Sequence, residues 1–134
     1  MSANDFRVAI AGGGIGGMAT ALALASHGIA SEVYERREAF PEEGAGIQIG
    51  PNGTRILQRL GVAEFLQAHA ATPDGLSVRD GKTGRELTRL PLGTWIAERH
   101  GAPYWTAHRR DLHVALRARA ETNPLIDLRT GIEI

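Results

Sequence analysis

The 134-residue sequence contains no cysteine. That excludes disulfides, thiolate nucleophiles and zinc–thiolate sites, and it suits a reducing cytoplasm. Charge of one prevailing sign is also missing, since fifteen basic side chains stand against fifteen acidic ones and the formal net charge is zero. No broad positive field exists to gather polyanions, so neither nucleic acid nor an anionic membrane is expected as a partner. The sequence has no proline- or serine-rich linker, internal repeat or low-complexity tract, which leaves one domain able to bury about two-thirds of its unfolded surface. Residues 8–26 carry no charged side chain, a length that a membrane helix would need. Yet this run holds Gly12, Gly13, Gly14, Gly16 and Gly17, and its only leucines are Leu22 and Leu24. Small residues of weak transfer energy argue against a span or a signal peptide.

What is abundant is glycine, with 17 residues, and its placement is informative. "FRVAIA", residues 6–11, is a short apolar run that reads as a buried strand of a parallel sheet. From Ile15 the period changes: Ile15, Met18, Ala19, Leu22 and Ala23 share one face of a helix that His27 and Gly28 close. "SEVYER", residues 31–36, then alternates and ends in charge, as the second parallel strand of a βαβ unit should.

Gly12, Gly14 and Gly17 satisfy G-x-G-x-x-G, with Ile15 and Gly16 completing the turn, and Glu35 follows eighteen positions beyond Gly17. In that setting the pattern is a dinucleotide fingerprint. Gly12 permits the sharp turn, Gly14 lets backbone approach a pyrophosphate, and Gly17 allows close helix–strand packing, while the helix N-terminus offers amides to phosphate. Glu35 would accept from a ribose diol and repel a 2′-phosphate. A ligand-free strand-to-helix turn is the competing reading. The turn alone does not distinguish a flavin from a nicotinamide dinucleotide.

Further on, "PEEGAGIQIGPN" reads as a glycine-rich connection, followed by a helix through Ile56, Leu57 and Leu60, with Asn52 as N-cap and Gly61 at its end. Two alternating runs around Asp80, Gly81 and Gly84 predict a β-hairpin over residues 75–93 instead of another βαβ unit. "PYWTAHR" reads as a strand, "RDLHVALRARAET" as a helix with Asp111 in its first turn, and "LIDLRTGIEI" as two short strands about Thr130 and Gly131. A strand pattern that reaches Ile134 suggests a truncated domain.

The five histidines, His27, His69, His100, His108 and His113, lack metal spacing and read as surface or cap residues. No metal site and no nucleophilic triad is expected. Trp95, Tyr104 and Trp105 are open to two readings, the lining of an aromatic substrate pocket or, in preference, hydrophobic core on strands.

The set "AGGGIGG", "VYERR", "GAGIQIGPNGTRILQRLG" and "HRRDLHVAL" resembles the amino-terminal third of the flavin-dependent aromatic hydroxylases, of the salicylate hydroxylase and 3-hydroxybenzoate 6-hydroxylase type. The resemblance covers nearly the whole chain and implies an α/β, Rossmann-like FAD-binding fold carrying the hairpin as an insertion. Residues 1–134 would then be the amino-terminal portion of the FAD-binding domain of a larger two-domain flavoprotein, inactive without the rest. It implies that Glu35 and Arg36 hold the adenosine half of FAD and that the backbone at Ala45 and Gly46 lies beside the flavin. Gln48 would take a nearby polar position, and Arg109 would reach FAD from its helix start, with Arg110 as the alternative.

The activity so implied is hydroxylation of an aromatic acid with NADPH or NADH and dioxygen, in a cytoplasmic protein compatible with homo-oligomerisation. No catalytic side chain need lie in these residues, because the cofactor carries the chemistry. The alternatives are the nucleotide-binding domain of an NAD-dependent dehydrogenase, which should continue in further βα units, and a non-catalytic nucleotide-binding module.

Overall fold

The computed structural model describes residues 6–39 and 44–134, so residues 41–43 of the glycine-rich connection lie outside it. The first three elements are β1 (Arg7–Ala11), α1 (Ile15–Ser26) and β2 (Ala30–Glu35), with β1 and β2 parallel in the register Arg7 to Ala30 through Ala11 to Tyr34. α1 ends at His27, and Gly28 follows with φ +74°, the left-handed conformation that closes a helix. A third parallel strand, β7 (Ile126–Thr130), returns to pair with β2, giving the order β1–β2–β7. Only this one strand forms in the terminal stretch, not two: Gly131 turns the chain with φ +71°, and the amides of Gly131 and Ile132 donate back to Arg37 and Glu35.

Helices α1 and α5 (Arg109–Glu121) contribute Met18, Leu22, Leu112, Ala115, Leu116 and Ala120 to the main core. Val33 of β2 is fully buried. The sequence reading of a buried first strand needs correction, because β1 alternates and Arg7, Ala9 and Ala11 are exposed. On that polar side of the sheet, Glu32 accepts from Arg7, Arg129 and the Tyr34 hydroxyl. The strand is apolar in composition, yet among the described residues only one side of the sheet is packed by helices.

A second, two-stranded sheet pairs β3 (Gly46–Ile49) with β6 (Trp105–His108) in antiparallel fashion. β3 lies in what reads from sequence as an irregular connection. It is only four residues long and takes its hydrogen bonds from a strand some sixty residues away. Its Ile49 faces the core beside Trp105 and Ala107, whereas Gly46 and Gln48 face outward. After β3 comes α2 (Pro51–Arg59), whose N-cap is Gly50 and not Asn52. Pro51 occupies the first helical position, where its fixed φ and missing N–H are tolerated, and this sets the helix start one residue before Asn52. Leu57 is buried but Ile56 is exposed. Thr54 is fully buried and donates to the Pro103 carbonyl at 2.7 Å, tying α2 to the segment before β6.

A short α3 (Ala63–Gln67) follows, then the hairpin of β4 (Gly75–Arg79) and β5 (Glu86–Pro91). Asp80 Oδ1 accepts from the amides of Lys82 and Thr83, and Gly84 takes φ +70°, so the turn is built by its own residues. An unforeseen helix, α4 (Gly93–His100), carries Trp95, which is half exposed under the Arg99 guanidinium instead of in a strand core. Of the three aromatics only Trp105 is core. None of the helices among the described residues is long and apolar enough to cross a membrane, and the charge-free run is divided between β1, the glycine turn and α1.

Candidate functional site

The glycine turn sits where β1 ends and α1 begins, at the carboxyl edge of the parallel sheet, the usual place for ligands in such folds. Gly12 adopts φ +100°, and its amide donates to Tyr34 O at 2.7 Å, which anchors the turn to β2. Gly17 packs against the turn: a Cβ there would collide with the Gly12 carbonyl. At Gly14 and Gly16 a Cβ would meet nothing within 4 Å. The N-cap of α1 is Gly14, which offers no side-chain cap, and the first turn holds no acidic residue. The leading amides of α1 therefore lack a capping side chain or a nearby acidic residue of the same turn, the arrangement that suits an anion.

Glu35, at the end of β2, accepts from the Arg37 amide through Oε1 and from the Gly13 amide through Oε2, each at 3.0 Å. The Arg37 amide above all, together with the Gly13 amide and the charges of Arg37 and Arg36, holds its carboxyl below the usual glutamate range against the opposing effect of burial. Glu35 is thus ionised at neutral pH, with lone pairs left for hydroxyl donors. Arg36 is exposed beside it. An open cleft of about 220 Å³ is bordered by Gly12, Tyr34, Glu35, Arg36 and Glu133.

The first turns of α5 join this region to residues 44–46. The Arg109 amide donates to Ala45 O at 3.1 Å, and a Cβ on Gly44 would come within 3.2 Å of the Arg109 Cβ. The Arg109 side chain is exposed and forms no ion pair among the described residues, whereas Arg110 contacts Asp111 at 3.7 Å. Ala45 and Gly46 are exposed, and a Cβ on Gly46 would find open space. The structure therefore ties Gly13 to Glu35 and Ala45 to Arg109 by hydrogen bonds, with Ile15 and Gly16 in the first turn of α1. Gln48 lies two residues along β3 from Gly46.

Neither His113 nor Tyr104 is among the cofactor-binding residues expected from the sequence. His113 is half-buried and bonds through Nε2 to the Gly13 carbonyl at 2.7 Å, so it is not a surface residue. Its spacing from Arg109, one helical turn, was the available signal. Tyr104 is not a core aromatic: its hydroxyl bonds to Gln48 Oε1 at 2.7 Å. By contrast His108 does act as a cap, accepting from the Arg110 amide. No cluster of metal-binding side chains exists among the described residues.

Residues 5–134 match the model of a family described as FAD binding domain. The chain belongs to that family. This FAD-binding domain is 44% identical over 116 residues to 3-amino-4-hydroxybenzoate 2-monooxygenase PtmB3 of Streptomyces platensis, covering 87% of this chain and 29% of that protein. It is 38% identical over 132 residues to 3-hydroxybenzoate 6-hydroxylase of Klebsiella oxytoca, covering 98% and 33%. Among solved structures, the tetrameric form of 2-methyl-3-hydroxypyridine-5-carboxylic acid oxygenase superposes with a TM-score of 0.78 at 26% identity, over 93% of this chain and 31% of that one. HpxO of Klebsiella pneumoniae, complexed with FAD and uric acid, gives 0.77 at 25% identity, over 94% and 31%. The chain spans about a third of the length of the relatives it matches. Nothing in these likenesses supports an NAD-dependent dehydrogenase.

Proposed function

We propose that this FAD-binding domain serves a flavin-dependent monooxygenase that hydroxylates an aromatic acid with NADPH or NADH and dioxygen. The observation that carries the reading is the family match along residues 5–134, joined to relatives whose names specify monooxygenation or hydroxylation of hydroxybenzoates. Bound flavin supplies the redox chemistry: NAD(P)H provides two electrons, one oxygen atom enters the ring and the other leaves as water.

What this chain's residues do is bind and orient. The amides at the start of α1, with Gly14 and Gly16 leaving space beside them, hold the pyrophosphate. Glu35 would accept from the ribose hydroxyls of the adenosine half, and Arg36 beside it would help to hold the same half. Ala45 and Gly46 present backbone to the flavin, and Gln48 offers a polar contact near it. Arg109 places a planar guanidinium, unpaired among the described residues, toward the diphosphate or ribityl oxygens. A homo-oligomeric whole protein is in keeping with the tetrameric form of one structural neighbour.

The test is the visible spectrum of the purified whole protein, followed by NAD(P)H oxidation with a panel of hydroxybenzoates under labelled dioxygen. We expect flavin absorbance and one labelled oxygen atom in the product. A colourless protein that takes up no added FAD would overturn the assignment.

A further inference from the structure

We infer that His113 is a positioning residue that sets the shape of the glycine turn, closing from α5 a bracket whose other arm is Glu35. Gly13 is buried in the middle of three consecutive glycines, none of which has a side chain to restrict its own backbone. Such a segment has more conformations to lose than any other, so its shape must be imposed from outside. Both polar groups of Gly13 are taken by side chains: its N–H donates to Glu35 Oε2 at 3.0 Å, and its carbonyl is met by His113 Nε2 at 2.7 Å. A carbonyl can only accept, so Nε2 of His113 carries a proton and donates.

His113 is well placed to impose this shape. Its neighbours Leu112, Ala115 and Leu116 are buried core residues, so α5 is held firmly while His113 projects to the turn. One helical turn earlier, the Arg109 amide bonds to Ala45 O. The same two turns of one helix thus hold the turn that faces the pyrophosphate and the segment proposed to lie along the flavin. Loss of the His113 contact frees the Gly13–Gly14 peptide to rotate and disperses the amides that converge on phosphate. This inference rests on the FAD-site reading above.

The experiment compares the whole protein with its H113L, H113Q and H113N variants. FAD affinity is read by titration, the stability of the cofactor-free protein by melting, and the histidine side-chain nitrogens and turn amides by NMR. We expect a protonated Nε2 on His113 and FAD binding weakened about tenfold in H113L, the scale of one lost hydrogen bond at the strong end of its range. H113Q, whose amide nitrogen reaches the position of Nε2, should stay within about threefold of the parent, while the shorter H113N should not. Hydrogen exchange at the Gly13 amide, which Glu35 protects, should quicken in H113L by more than its fall in melting midpoint accounts for, a local effect that a purely packing role would not produce. An unprotonated Nε2, or equal FAD affinity in H113L and the parent, overturns the inference. So does equal weakening in H113L and H113Q. If H113L fails to fold, the H113Q and H113N pair decides by the same criterion. If the parent binds no FAD, the functional reading fails, and the tautomer and amide exchange still decide the bracket.

Discussion

Replacing Gly17 by alanine, with Gly16→Ala as its neighbour and control, separates the two reasons glycine is needed in the turn. Both residues lie in the first turn of α1, where alanine is favoured over glycine by about 1 kcal/mol. At Gly16 the new methyl meets nothing within 4 Å, so that gain stands alone and G16A should stabilise the cofactor-free protein. At Gly17 the methyl would overlap the Gly12 carbonyl oxygen and lie 3.2 Å from its carbon and 3.4 Å from Ile10 Cγ2. The carbonyl cannot retreat easily, because Gly12 N is bonded to Tyr34 O and Gly13 is held by Glu35 and His113. Overpacking against fixed backbone belongs at the upper end of its usual range, about 3 kcal/mol, leaving a net loss of about 2 kcal/mol. For a domain of this size that is a fall in melting temperature of roughly 6–10 °C. Urea unfolding of the cofactor-free protein, followed by circular dichroism, should therefore move the two variants in opposite directions. If G17A unfolds with the parent or with G16A, the close approach of α1 to the turn is not what selects glycine at that position.

Two further predictions concern single polar groups. Glu35 has a carboxyl held below its ordinary range by the Arg37 and Gly13 amides. A depressed carboxylate contributes stability that is complete above its unfolded value and is lost as pH falls through the lower folded value. Denaturant melts from pH 7 down to 3 should therefore show a decline in the parent that is reduced in E35Q, and identical pH profiles would refute this account. Buried hydroxyls should divide by whether they are partnered. T54V removes the donor from Pro103 O and should cost about 1–3 kcal/mol, whereas S31A removes a buried hydroxyl that has no partner among the described residues and should be neutral or stabilising, as measured by the same unfolding assay.

Much of the local organisation was legible because it is encoded by neighbours in the chain. The change of period at Ile15, Gly28 at the end of α1, and the Asp80–Gly84 turn all depend on residues within a few positions of each other. The spacing of Glu35 from the glycines belongs with them, since one βαβ unit has a nearly fixed length. Identification of the cofactor came from the combination of dispersed motifs and was borne out by the family match.

What the linear pattern could not reveal depended on partners far away. β3 is a strand only because β6 lies beside it, and the exposed side of β1 reflects which faces the helices cover. The start of α2 at Gly50 depended on weighing Pro51 against Asn52, a choice the residues did contain. Gln48 and Tyr104 stand 56 positions apart, and Gly13 and His113 stand 100 apart. Amino-acid order thus specified the glycine turn and its acidic companion, because those are matters of backbone freedom and strand length. The clamp on that turn from α5 appeared only once the core had folded and packed α1 against α5, since nothing local links a histidine to a glycine a hundred residues earlier.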